Sequence, residues 1–190
     1  MKNIVIIGGT KGIGKSIVSE VVENHKVVCL SRNQTDFSHD NYTFHNFDAL
    51  VDDYPDLDSV DCLIYCPGSI NLKPISTLSL DDFRNDFELN VIGAVRAIKK
   101  YLNLLKKSES ASILLFSTVA TKLGMPYHAS VSVAKSGIDG LVKTLGSELA
   151  PKVRINAIAP TITNTELASK ILRNDKVIEN MVERHPLKKI

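Results

Sequence analysis

Two stretches of the sequence combine residue types and spacings that suit chemistry. The first is GGTKGIG, residues 8 to 14, which follows an apolar run and leads into a helical pattern. Gly8, Gly12 and Gly14 let the backbone turn tightly and approach a pyrophosphate, and the helix that follows offers its free amides and the positive end of its dipole. A glycine-rich string alone is weak evidence; here the strand, turn and helix that dinucleotide binding requires surround it. The second stretch is ASVSVAKSG, residues 129 to 137, where Lys135 is the single cation among small and β-branched residues, just ahead of the periodic run IDGLVKTL. A lysine so placed stands where a ligand or another chain can come close.

These groups must be held by a scaffold. Five short runs, NIVIIG (3 to 8), KVVCLS (26 to 31), DCLIYC (61 to 66), ASILLFS (111 to 117) and VRINAIA (153 to 159), are almost continuously apolar. That pattern predicts strands buried on both faces and therefore parallel. YTFHNF (42 to 47) is a weaker sixth strand. Helical patterns lie between the runs, at 12 to 24, 80 to 107, 128 to 149 and 166 to 182. The alternation predicts an α/β fold, a doubly wound parallel sheet with helices on both faces. Only about ten residues separate KVVCLS from YTFHNF, fewer than a helical crossover needs, so that connection is expected to lack a helix. No repeat, low-complexity tract or linker interrupts the chain, and residues 1 to 190 read as one domain.

Composition narrows the possible partners. The net charge is +2 and the basic residues are spread along the chain, which argues against a nucleic-acid or anionic-membrane partner. Cys29, Cys62 and Cys66 are an odd number, and the last two lack the nearby His or Cys that would complete a metal site. They read as reduced thiols of a cytoplasmic protein, with no metal expected. No apolar run approaches the roughly 18 residues of a membrane span, and the N-terminal run is too short for a signal sequence.

The glycine spacing is G-x3-G-x-G rather than G-x-G-x2-G, and on it the chain resembles the short-chain dehydrogenase/reductase family. The family's loop usually reads Thr-Gly-x-x-x-Gly-Ile-Gly, and Ile7 stands at the Thr position here. The resemblance covers essentially the whole chain and implies a Rossmann-type, three-layer αβα fold. Six strands are expected in this chain, with the usual seventh absent and the C-terminus short by about 50 residues relative to family members.

The resemblance also implies a cofactor site: Gly8, Thr10, Lys11, Gly12, Ile13 and Gly14 in the loop, Ser31 and Arg32 at the end of the second strand, Asp48, Gly68, Lys135, Pro160 and Thr165. An acidic residue ending the second strand would bind a ribose 2′-hydroxyl, whereas basic groups accommodate a 2′-phosphate. The strand ends Ser31-Arg32 and Lys11 sits in the loop, so NADP(H) is expected over NAD(H). Asp48 matches the family's Asp near the adenine, and its competing reading is the N-cap of a short following helix. Thr165 likewise matches a cofactor-binding threonine or caps a helix ahead of Glu166.

The family's catalytic set is an Asn, a Ser and a Tyr-x-x-x-Lys. Carried over, Asn90 in ELNVIGAVRAIKK matches the Asn and Lys135 the Lys. Thirteen residues before the Tyr position stands Thr118, with Ser117 just before it, and at the Tyr position itself stands Val131. Thr118 keeps a hydroxyl; Val131 has no transferable proton. General acid–base catalysis is worth about 10² to 10⁴ in rate, so its loss would leave a slow enzyme. Tyr127 and His128 lie four and three residues before Val131 and are candidate substitute acids from about the same helical face one turn earlier, if they do not merely cap or pack the helix entry. The Tyr65-Cys66-Pro67-Gly68 and Pro160-Thr161 segments depart from the family's Asn-Asn-Ala-Gly and Pro-Gly.

The expected activity is hydride transfer between nicotinamide and a small carbonyl or alcohol with a non-standard proton donor. The alternatives are a catalytically degenerate, sensor-like NADP(H)-binding protein and a structural partner with a vestigial site. Helices 80 to 107 and 128 to 149 form a four-helix dimer interface in the family. Their small residues, Gly93, Ala94, Ala97, Gly137 and Gly140, are expected to admit a partner's helices in a homodimer or homotetramer.

Overall fold

All six runs form strands in the computed structural model, which describes residues 1–190. They are β1 (Asn3–Ile7), β2 (Lys26–Ser31), β3 (Tyr42–Asn46), β4 (Cys62–Tyr65), β5 (Ala111–Phe116) and β6 (Val153–Ile158), in one sheet of order β3-β2-β1-β4-β5-β6. Every neighbouring pair is parallel. The alternation of β1 explains why the run is apolar throughout: Ile4 and Ile6 pack with Val18 and Val22, while Val5 and Ile7 join Ile98, Tyr101 and Ile138 on the opposite face. The order reverses direction between β1 and β4, where Ile7 registers with Tyr65. In open α/β sheets, ligands bind in the crevice beyond the strand ends at such a point.

Helix α1 (Gly12–Val21) covers the first face. The other carries α2 (Leu80–Phe87), a π-helical segment (Glu88–Ile92), α3 (Gly93–Leu105) and α5 (Ala129–Glu148), so the pattern at 80 to 107 is one helical stretch with a widened turn inside it. Its start is set by a reciprocal capping box between Ser79 and Asp82. No helix forms in the β2–β3 connection, as its length requires. A short helix not expected from the sequence, α4 (Ala120–Leu123), leaves β5 and ends at Gly124 in the left-handed region. No helix is long and apolar enough to cross a membrane.

Two expectations are corrected. The pattern at 166 to 182 is not one helix but a 3-10 turn (Glu166–Ala168) followed by α6 (Asp175–Arg184). Asn174 starts α6 by accepting a hydrogen bond from the Val177 amide at 3.0 Å, a local bond that competes with a continuous helix. The small residues on α3 and α5 are mostly used within the chain. A side chain on Gly137 would meet Val91 at 3.0 Å, one on Gly93 would collide with the Tyr65 hydroxyl, and Ala94 and Ala97 are fully buried; only Gly140 faces open space.

Candidate functional site

A cleft of about 450 Å³ crosses the C-terminal ends of β1, β2 and β4. Its floor is the glycine loop between β1 and α1. A side chain on Gly14 would collide with the Gly8 carbonyl oxygen, so the loop folds onto itself only with glycine there. Gly12 has φ +50 and packs against Thr165, where a Cβ would lie 3.2 Å from the methyl group. Lys11 caps α1 with no side-chain hydrogen bond, leaving the first-turn amides turned to the cleft. One of them, Gly12 N–H, donates to Glu166 Oε2 at 3.1 Å.

At the β2 end, the hydroxyls of Thr10 and Ser31 share a 2.7 Å hydrogen bond. Arg32 and Asn33 continue the wall, and the Arg32 carbonyl is held by Asn46 Nδ2 at 2.9 Å. The side chains of Lys11 and Arg32 are exposed at the cleft and belong to none of the chain's ion pairs. Asp48 also lines the cleft, but no helix follows it: its Oδ1 accepts from the Leu50 amide at 2.9 Å in a turn, which corrects the N-cap expectation. Thr165 does cap, accepting from the Ala168 amide of the 3-10 turn at 3.4 Å.

The third wall is Cys66-Pro67-Gly68, and Gly68 joins the cleft to the lysine. A Cβ on Gly68 would lie 3.3 Å from Asn90 Oδ1 and 3.4 Å from Lys135 Nζ. Lys135 is 8% exposed, and its ammonium donates to the Phe116 carbonyl at 2.7 Å. Burial pushes its pKa down to about 8, while Cys66 and Asp86 act in the opposite direction. The Cys66 thiol is itself pushed up to about 12, by burial first, so it carries no charge near neutrality. Asn90 is buried in the π-helical segment and donates through Nδ2 to the Asp86 carbonyl (2.7 Å) and to Ser69 Oγ (3.0 Å).

The cleft thus brings together Gly8, Thr10, Lys11, Gly12, Ile13, Gly14, Ser31, Arg32, Asp48, Gly68 and Thr165, with Asn90 and Lys135 meeting it at Gly68. Thr118 and Pro160 do not line it. They sit together at the exits of β5 and β6, where the Val119 amide donates to the Pro160 carbonyl at 3.2 Å and Thr118 Oγ1 accepts from the Ala120 amide at 3.3 Å. Val131 is buried on α5 one turn before Lys135.

Tyr127 and His128 do not share that helical face. Helix α5 begins only at Ala129, Tyr127 has φ +67 and is 60% exposed, and the His128 ring is turned onto the Pro126 carbonyl at 2.7 Å. Glu166, Ser69 and Asp86 were not anticipated from the sequence. Asp86 carried a legible signal, because it lies four residues before Asn90 and so shares its buried face. Ser69 and Glu166 carried none.

Residues 7–190 match the family described as enoyl-(acyl carrier protein) reductase. A 3α-hydroxysteroid dehydrogenase from Mediterraneibacter gnavus is 26% identical over 100% of this chain and 84% of its own length. A 3-oxoacyl-[acyl-carrier-protein] reductase from Synechocystis is 30% identical over 59% of this chain and 46% of its own. Among solved structures, ElxO with NADP bound superposes with a TM-score of 0.86 at 25% identity, covering 100% of this chain and 86% of that one. Ligand-free aldohexose dehydrogenase from Thermoplasma acidophilum superposes with a TM-score of 0.89 at 23% identity, covering 100% and 81%.

Proposed function

The chain belongs to the short-chain dehydrogenase/reductase family of oxidoreductases, and we propose that it uses NADP(H) to interconvert a small carbonyl and its alcohol, with a proton donor other than the family's tyrosine. The observation that carries this reading is the buried Lys135 ammonium beside Gly68, which lines the same cleft as the cations Lys11 and Arg32.

The residues present fit the cofactor. Gly14 leaves the loop no side chain, the first turn of α1 has amides to donate, and two cations outside any ion pair line the cleft, which supports neutralisation of a 2′-phosphate there. No carboxylate ends β2 to favour a free 2′-hydroxyl. ElxO, whose fold this chain shares, is a protein with NADP bound, which supports the same choice. When bound, the cofactor supplies or accepts the hydride at its nicotinamide.

The chain's own residues do the rest. Lys135 directs a positive group toward the cleft wall at Gly68, where it holds a ribose hydroxyl. Asn90 holds the Asp86 carbonyl and the Ser69 hydroxyl. Thr118, at the exit of β5, orients the substrate oxygen with its hydroxyl. Val131 has no proton to give, so the alkoxide formed on reduction takes its proton from another group, for which His128 and Tyr127 are the candidates. The relatives named above as dehydrogenases and reductases support a carbonyl–alcohol couple. Self-association belongs to the same proposal: Leu80, Phe87 and Val133 leave apolar surface on α2, α5 and the face around Gly140.

The test is a fluorescence titration of the chain with NADPH and with NADH, followed by turnover over a panel of aldehydes, ketones and alcohols. Tight NADPH binding with weaker NADH binding and measurable turnover is the expected result. Absence of NADPH binding overturns the reading. Binding without turnover in either direction, even at high enzyme, points to the sensor-like alternative. Where turnover appears, His128→Ala and Tyr127→Phe separate the two candidate acids.

A further inference from the structure

Only two ionisable side chains with ordinary charges at neutral pH are buried, Asp86 at 4% and Lys135 at 8% exposure. A charge removed from water without compensation costs several kcal/mol, so the placement of the pair is informative. They form no direct ion pair. A short polar cluster on Asp86 ends beside the lysine without a hydrogen bond to it. The Ser69 hydroxyl donates to Asp86 Oδ1 at 2.5 Å, and Asn90 Nδ2 donates to Ser69 Oγ at 3.0 Å and to the Asp86 carbonyl at 2.7 Å. Gly68, which precedes Ser69, is the residue whose α-carbon faces both Asn90 Oδ1 and Lys135 Nζ.

The hydrogen-bond accounting is one-sided. Asp86 Oδ2 and Asn90 Oδ1 are buried acceptors with no partner, while the Lys135 ammonium uses one of its three donors, on Phe116. The remaining groups that act on Lys135 do not supply a negative charge. Cys66, at the exit of β4, holds its proton, and β5 offers only the Phe116 carbonyl. Asp139, one turn further along α5, is engaged by Thr121 at 2.8 Å and Lys122 at 3.8 Å. Asp86 on α2 is left as the counter-charge.

We propose that Asp86 is a positioning residue of this site, the buried counter-charge that, held in place by Ser69 and Asn90, acts through space to keep Lys135 protonated and aimed at the Gly68 wall of the cleft. No proton moves to or from Asp86 in this role. The inference rests on the reading of Lys135 as a cofactor-holding residue.

The test begins without cofactor. Protein labelled with ¹³C at lysine Cε is titrated from pH 6 to 10 by NMR, with the Lys135 resonance assigned from its absence in Lys135→Met. Asp86→Asn keeps size and hydrogen-bonding capacity, and it is expected to lower the Lys135 midpoint by about one pH unit or more, the usual effect of losing an opposite charge. Ser69→Ala is expected to lower it by less. With NADPH as probe, Asp86→Asn should bind about tenfold more weakly than wild type at pH 8, and the two should converge at pH 6.

An unchanged midpoint in Asp86→Asn overturns the proposal, as would a purely structural role that lowers thermal stability alone. Should Asp86→Asn fail to fold, an unchanged midpoint in Ser69→Ala overturns it equally. If wild type binds no NADPH, the cofactor reading fails, and the NMR titration still decides the role of Asp86.

Discussion

The Glu166 carboxylate accepts a 3.1 Å hydrogen bond from the Gly12 amide, so the segment after β6 places a negative group on the first turn of α1. Its own backbone amide, the Gly12 amide, and the nearby Lys11 and Lys15 hold this carboxyl below its usual range. A helix N-terminus that takes a carboxylate takes a phosphate on the same donors. A dinucleotide entering the cleft must therefore displace Glu166. Glu166→Gln is expected to bind NADPH about three- to tenfold more tightly at low salt, with the gain shrinking as salt screens it. Equal or weaker binding in a fluorescence titration would show that Glu166 does not compete.

Lys135 gives opposite pH dependences for binding and for stability. Its pKa falls from 10.5 to about 8 on folding because the ammonium is buried. Below about pH 8 it is charged, so NADPH affinity should be highest there and decline as pH rises through 8. Between pH 8 and 10.5 the unfolded chain holds a proton that the folded chain has released, so the contribution of Lys135 to stability rises through that window. Below it the burial penalty, roughly 3 kcal/mol, is fully present. Lys135→Met should gain stability over wild type at pH 7, and the gain should shrink by pH 10. Urea denaturation at the two pH values checks this; a constant difference would mean that Lys135 titrates as an ordinary exposed lysine.

On the proposed NADP(H) reading, the cations Lys11 and Arg32 should discriminate between cofactors. Arg32→Ala and Lys11→Ala each remove one charge from an exposed position and leave the glycine loop in place. Exposed charge pairs are worth up to about 1 kcal/mol, so each change should weaken NADPH binding by about three- to fivefold. NADH binding should hardly move. Parallel losses for both cofactors would relocate the 2′-phosphate.

Val131→Tyr tests the proposal that the proton donor is not the family's tyrosine. Val131 is 6% exposed, and a ring there must displace its neighbours at a cost of about 1–3 kcal/mol. If the position faces the substrate oxygen, as the resemblance implies, kcat on an active carbonyl should rise by about 10²-fold, the lower range for general acid catalysis. A folded Val131→Tyr protein with unchanged kcat would show that the proton reaches the substrate from elsewhere.

The strands were legible because burial on two faces writes itself as continuous apolarity, and a run such as NIVII needs no partner to be recognised. The glycine loop was legible for a similar reason, since Gly14 answers to a clash within the loop itself. The helical pattern at 166 to 182 misled because a periodic stretch does not reveal that the Asn174 side chain will cap a new helix inside it. Tyr127 and His128 do not extend the face of α5, because spacing from Lys135 assumes a helix running back through them, whereas α5 starts at Ala129 and Tyr127 has φ +67.

What the sequence determined alone was the parallel α/β scaffold, the glycine-rich turn after β1 and a lysine set among small residues, each a consequence of local spacing or of periodic burial. The tertiary structure decided which distant groups meet there. Glu166 reaches Gly12 across 154 residues, and Ser69 reaches Asp86 from another element of the fold. Such contacts depend on how the sheet orders its strands and how α2 seats against α5, and no single segment encodes that. For the same reason the buried charge of Lys135 acquired its counterpart in Asp86 only once the chain was folded.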